Sequence, residues 1–479
     1  MGKVPQTVRG NSRPQLVHSF ICLVSRRFSR FVSRHGHCGS EESAEIGMKD
    51  EMKLNPLTKA AIGLTAAGAA YVLVQKRSHP LSSDVSTGAE IHGFVRSGYE
   101  AVREAFAENF ARRREIGAAC CVYHKGEQVV DVWGGVRNKP TGEPWEQNTM
   151  ALVYSATKGL SAMTLAVAHS RGWLDYDELV CNYWPEFAQN GKDKITVRQL
   201  LAHQAGLFAL DQPLDKTLVA DLDRLAELLA RQKPEWEPGT RQAYHAITLG
   251  FYEGELLRRI DPQHRTLGQF FQDEIASTLG LDFYIRLPES IADSQLAPLV
   301  DPSFAEMIFG FPFKMALDVW NPRSNIRRAL MGSELAHDKQ CIYPRNLEIP
   351  AGGGVGTARA IARAYSVFAT GGKELGLLKE TMRELTAPAV PATHGFFDEC
   401  IRGDAQFSLG FMKPNAGFPF GSASAFGHPG AGGSLGFADP EAQIGYAYVP
   451  NRKSTTMGGD ARDVALRHAL FSATPAARN

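Results

Sequence analysis

Residues 153–161 read VYSATKGLS, which sets Ser155 three residues before Lys158. On an α-helix that spacing brings both side chains to one side, close enough to touch. Two readings are open. Either Ser155 is a nucleophile with an amine base one turn on, or it caps a helix from which Lys158 reaches to solvent. A serine and a lysine three apart turn up roughly once by chance in a chain of this size, so the context has to decide. Upstream, MALVYS (150–155) is strand-like; downstream, LSAMTLAVAHSRG (160–172) is apolar nearly all round, the pattern of a buried helix. A serine at that junction lies at a helix N-terminus, where free N–H groups and the positive dipole end favour an oxyanion. An ammonium opening a buried helix loses solvation, which lowers its pKa and brings the neutral amine into range.

Working outward, SGYEAVREAFAENFARR (97–113) spaces Tyr99, Val102, Phe106 and Phe110 as one face of an amphipathic helix. GAACCVYHKGEQVVDVWGG (117–135) gives two apolar runs about His124, Lys125 and Gly126, a hairpin signal. VADLDRLAELLARQ (219–232) reads as a second amphipathic helix, and SLGFADPEAQIGYAYVPN (434–451) as a hairpin turning at Asp439, Pro440 and Glu441. A last helix is expected over 459–471. Strands from both ends with helices between imply an α/β (α+β) fold. One antiparallel sheet is formed from both chain ends and flanked by helices, with a helical subdomain inserted.

Composition narrows the chemistry. Fifty-two basic residues balance fifty-one acidic ones, so no global field attracts nucleic acid. The seven cysteines form no Cys-x-x-Cys pair, and neither a His-Glu-x-x-His nor a phosphate-binding glycine loop is present. No metal and no cofactor are expected.

The first 38 residues carry seven Lys/Arg and no acid before Glu41. They read as a mitochondrial-type targeting segment or a disordered tail over 1–56, with Met48 and Met52 as alternative starts. Ala60 to Val74 is an uncharged run of fifteen bracketed by Lys59 and Lys76. At 1.5 Å per residue it reaches about 22 Å, short of a ~30 Å hydrocarbon core, although flanking lysines extend it by snorkelling. The expectation is a single membrane anchor within 57–77, a linker over 78–90 and a catalytic domain over 91–472. The protein would then be a single-pass membrane protein, with the mitochondrion as one location.

Two further stretches bear on Ser155. WEPGTRQAYHAITLGFYEGELL (236–257) places Tyr244 just ahead of an apolar helical run, as a core aromatic or as a reactive phenol. FGHPGAGGSLGFADPE (426–441) crowds His428, Gly430, Gly432, Gly433 and Gly436 at a strand entry. That is either a plain hairpin entry or an edge whose N–H groups face a substrate.

Taken in order, Ser155 with Lys158, Tyr244 with His245 and Ala246, then His428 with Pro429 and Gly430 resemble the three motifs of the serine β-lactamase superfamily. The likeness is to class C β-lactamases, D-alanyl carboxypeptidases and bacterial carboxylesterases of that fold. It spans roughly residues 95–470, with support from GWLDYDELVCNYWPEF, ITVRQLLAHQAGL and PAGGGVGTARAIARAY. The resemblance implies that Ser155 is the nucleophile and that Lys158 and Tyr244 move its proton. It also implies an oxyanion hole from the N–H groups of Ser155 and Ala431, with His428 and Gly430 in the third motif. Two departures bear on substrate. The second motif of the family continues Tyr-x-Asn, where this chain has Ala246. The third begins with Lys, where His428 is a weaker, pH-dependent cation with an unperturbed pKa near ~6.5. Both weaken recognition of a β-lactam or D-Ala peptide carboxylate. The expected function is hydrolysis of a small-molecule ester, or a small amide, through a Ser155 acyl-enzyme. The alternatives are a catalytically idle scaffold of the same fold and a β-lactam or D-Ala peptide hydrolase. Residues 289–345 are expected to wall the substrate pocket.

Overall fold

The hairpin of strands Gly117–His124 and Glu127–Asn138 turns on Lys125 and Gly126, both at positive φ (54° and 82°), the backbone a two-residue turn needs to match strand twist. This computed structural model describes residues 89–303, 306, 318, 321–330, 343, 345–456 and 459–473. The main sheet contains β1 (Ile91–Val95), β2 (Gly117–His124), β3 (Glu127–Asn138), β4 (Gln406–Ser408) and β5 (Phe411–Lys413). It is completed by β6 (Phe426–Pro429), β7 (Leu435–Asp439) and β8 (Ile444–Pro450). The order is β1-β3-β2-β8-β7-β6-β5-β4, antiparallel throughout, with a short strand Glu143–Pro144 also paired to β3. The pairing of β8 with β2, Tyr446 opposite Val122, joins the two chain ends in mid-sheet. The antiparallel sheet, its flanking helices and the helical insertion between β3 and β4 agree with the sequence reading.

Period-two alternation decides what each face buries. Cys120 and Val122 face one core, with Val102 and Phe106 of α1 (Glu100–Arg112) and Leu466 and Leu470 of the C-terminal helix, α5 (Ala461–Ala473). Cys121 faces the other core, with Leu160 of α2 (Thr157–Ser170), Leu249 of α3 (Thr248–Ile260) and Ile361 of α4 (Ala358–Ala369). The ends of α1 and α5 are tied by Arg462 and Glu115, 2.8 Å apart and almost wholly buried.

Three expectations are corrected. The amphipathic run at 219–232 is broken into Lys216–Ala220 and Leu222–Arg231, because the Asp221 carboxylate accepts from the Arg224 N–H and starts a new helix. The last helix begins at Ala461 rather than 459, after Gly459 at φ 72° and with the Arg462 N–H bonded to Asp460. Among the described residues no helix is long and apolar enough to cross a membrane. The anchor expected over 60–74 lies outside the described residues, and a hydrophobic run of that length falls short of a bilayer core. The membrane-anchored, single-pass reading is therefore withdrawn. The segments expected over 1–56, 57–77 and most of the 78–90 linker also lie outside the described residues, as does much of 289–345.

Candidate active site

Just before α2 the chain makes a tight turn, Tyr154–Ala156, with Tyr154 at φ 46°. An aromatic residue pays strain to adopt that backbone, and such strain concentrates where a neighbour must be aimed. Thr157 fixes the turn: its hydroxyl donates to the Tyr154 carbonyl at 2.5 Å and accepts from the Gly354 N–H at 2.9 Å. The residue capping α2 is Ala156, with no side-chain cap, so the Ser155 hydroxyl is not spent on the helix.

Lys158 does not reach solvent. It is fully buried, and its Nζ lies 2.7 Å from the Ala246 carbonyl, 2.8 Å from the Ala351 carbonyl and 3.3 Å from Ser155 Oγ. Two carbonyls use two N–H groups. In the neutral amine the remaining position is a lone pair directed at the Ser155 hydroxyl. Burial brings the Lys158 pKa down from 10.5 to about 7, against a smaller opposing pull from Glu253. The contrast is Lys192, whose Nζ donates to three carbonyls, of Gln189, Ala230 and Gln232. Lys192 staples loops; Lys158 keeps one direction for a hydroxyl.

Tyr244 stands over this pair. Lys158 Nζ is 4.8 Å from its ring centre, and its side chain hydrogen-bonds Ser155. Burial pushes the phenol well above its usual range despite that bond, so Tyr244 stays protonated. Its ring is held among Phe407 (5.5 Å between centroids), His428 (5.9 Å) and His203 (5.0 Å).

His428 corrects the sequence reading of a pH-dependent cation. It is almost wholly buried, and burial, with Lys158 adding to it, lowers its pKa to about 3. It is neutral at neutral pH, with Nδ1–H donating to the Pro429 carbonyl at 2.7 Å and Nε2 without a partner. The turn after β6 is bolted to the segment that leads into Ser155. Gly430 N–H donates to the Ser434 carbonyl at 2.7 Å, and Ser434 Oγ donates to the Val153 carbonyl at 2.8 Å. A Cβ on Gly430 would fall 2.1 Å from that Val153 oxygen, so only glycine lets the turn approach. Ala431 follows at the exposed tip. The fold thus gathers Ser155, Lys158, Tyr244, His428 and the Gly430–Ala431 turn from three separate stretches.

A family model, Beta-lactamase, matches residues 102–471. The chain belongs to the β-lactamase family. It is 32% identical over 396 residues to "Esterase/beta-lactamase LipL" of Mycobacterium tuberculosis (strain ATCC 25618 / H37Rv), covering 82% of this chain and 90% of that protein. A solved family VIII carboxylesterase is 34% identical with a TM-score of 0.71, covering 80% of this chain and all 100% of the other. A penicillin-binding protein homologue from Caulobacter crescentus is 33% identical with a TM-score of 0.68, again over 80% and 100%. This β-lactamase-family chain is accordingly an enzyme of the serine hydrolase class at the level of the superfamily.

Sequence reasoning missed several parts of the site. The Ala246 and Ala351 carbonyls that hold Lys158 are backbone acceptors and leave no side-chain signal. His203, at φ 60°, packs on Tyr244 and accepts the His245 N–H at 3.0 Å. It sits inside ITVRQLLAHQAGL, a stretch that the motif order flagged without giving it a role.

Proposed function

We propose that this protein hydrolyses small carboxylic esters through an acyl-enzyme on Ser155, with Lys158 as its base. The observation that carries this reading is the buried Lys158 amine, fixed by two carbonyls with its third direction on Ser155 Oγ. Ser155 Oγ attacks the ester carbonyl carbon, an Oγ–C bond forms, and the hydroxyl proton passes to Lys158 Nζ. The carbonyl oxygen becomes an oxyanion facing the N–H groups of Ser155 and Ala431. As the C–O bond to the leaving group breaks, Tyr244 gives that alkoxide its proton and is refilled from Lys158. Water then attacks the acyl carbon along the same path and releases the acid, restoring Ser155. The high pKa of Tyr244 suits a relay rather than a resting phenolate.

A neutral His428 in place of a fixed cation, and Ala246 in place of an amide donor, favour an uncharged ester over a substrate anchored by its carboxylate. The relatives named as esterase and carboxylesterase point the same way. The test compares turnover of a neutral p-nitrophenyl ester with that of a penicillin. Ester hydrolysis should dominate and fall about a thousandfold or more in Ser155→Ala. Penicillin turnover at a comparable kcat/KM would overturn the ester assignment.

A further inference from the structure

Eight acidic residues are buried among the described ones, and seven have partners. Glu115 pairs with Arg462, Asp131 with Arg359, Glu255 with Arg258 and Arg259, Asp261 with Arg265, and Asp463 with Arg467. Asp398 accepts the N–H groups of Cys400 and Ile401, and Asp439 accepts from Ser422. The eighth is Glu253 on α3. It is 0% exposed and neither carboxyl oxygen has a hydrogen-bond partner. An uncompensated buried carboxyl destabilises a fold, so its presence asks for a reason.

Its position supplies one. Glu253 Oε1 and Ala162 Cβ meet at the same point, where a Cβ on Gly410 would come within 2.8 and 2.7 Å of them. Gly410 leaves that space open. Ala162 is one turn along α2 from Lys158, on the same side of the helix. The carboxyl therefore lies in the α2–α3 seam one turn of α2 from Lys158, whose amine it interacts with electrostatically.

We propose that Glu253 is a positioning residue for Lys158, a buried acid whose charge state sets how tightly the amine holds the proton it takes from Ser155. This rests on the reading of Lys158 as the base. With the proton on the Glu253 carboxyl and Nζ unprotonated the pair is neutral; with the carboxyl ionised and Nζ protonated it is an ion pair. The neutral pair leaves Lys158 ready to accept the Ser155 proton; an ionised Glu253 keeps Lys158 protonated and idle. Burial pushes Glu253 up to about 8, against a lowering pull from Lys158. Both groups thus titrate near neutrality and release protons as a coupled pair. The other titratable groups facing them are uncharged there. Around Lys158 these are His203, His245 and His428, all lowered by burial, and Tyr244, raised by it. On the Glu253 side the phenol is Tyr176, raised by burial.

The test uses Glu253→Gln, which keeps shape and removes the charge. Gln mimics the protonated acid that the wild type holds through the acid limb of kcat/KM, so that limb should move by less than about 0.3 of a pH unit. An activity-independent readout is the infrared C=O stretch of a protonated carboxyl. It should be present at neutral pH in the wild type, absent in Glu253→Gln, and titrate at higher pH in Lys158→Met, where the lowering cation is lost. Should Glu253→Gln not fold, Glu253→Leu serves for the same comparison. An infrared midpoint indifferent to Lys158→Met, or an acid limb displaced by a unit or more in Glu253→Gln, overturns the proposal. Ester turnover surviving Lys158→Met would instead defeat the base assignment while leaving the infrared coupling to be read on its own.

Discussion

Replacing Lys158 by Met should abolish turnover and yet stabilise the protein at neutral pH. The folded pKa of Lys158 is about 7 and its ordinary value is 10.5. Between those values the unfolded chain holds a proton that the folded one lacks, so the wild type loses stability as pH falls through that window. The penalty is absent above the upper value and complete below the lower. At about 1.4 kcal/mol per unit it amounts to about 4–5 kcal/mol at pH 7 and about 2 kcal/mol at pH 9. Methionine is uncharged and of similar length, so it removes this term. It also strands the Ala246 and Ala351 carbonyls, at about 1 kcal/mol each. The expected balance is a gain of about 2 kcal/mol at pH 7 that shrinks to near zero by pH 9. Urea unfolding of both proteins at several pH values and constant ionic strength measures it. A Lys158→Met protein less stable than the wild type at pH 7, or a gap that does not change with pH, would refute a buried, neutral Lys158.

Three further outcomes follow from the same geometry. Ester turnover should fall with a slope of one below about pH 7, as Lys158 takes up its proton, and stay so through pH 5 because His428 remains neutral; a slope of two in log kcat/KM against pH would mark a charged His428. Gly430→Ala places a Cβ 2.1 Å from the Val153 oxygen, so it should cost activity by about a hundredfold or more through displacement of the Ala431 turn, read as kcat on the ester. Arg462→Leu strands the Glu115 carboxylate in the core and should cost about 3–5 kcal/mol in urea unfolding, with kcat of the surviving folded fraction little altered.

What the sequence disclosed is what neighbouring residues encode. The Lys125–Gly126 turn, the α1 stripe and the buried α2 run are local patterns, and each was readable because the period or the turn chemistry lies within a short window. The resemblance carried by Ser155, Tyr244 and His428 singled out three residues that the fold brings together. What stayed hidden depends on tertiary burial. Lys158 could be drawn as a snorkelling cation until α3 and the Pro350–Ala351 loop closed over it. His428 was expected to titrate near neutrality because an isolated imidazole does, and only its burial beside Lys158 keeps it neutral. Glu253 gave no sign in the sequence, since one acid within an apolar helical run does not tell whether it faces solvent or a buried amine. The anchor reading at 60–74 rested on composition alone, without a packing partner to check it.

The central claim is a covalent acyl-enzyme on Ser155, and the direct measurement is mass spectrometry of the folded protein after brief exposure to an ester-directed fluorophosphonate. The account predicts one stoichiometric adduct on the peptide carrying Ser155, formed faster as pH rises through about 7 and absent from Ser155→Ala. No adduct under native conditions, or an adduct on another serine, would contradict it and leave the idle-scaffold reading standing.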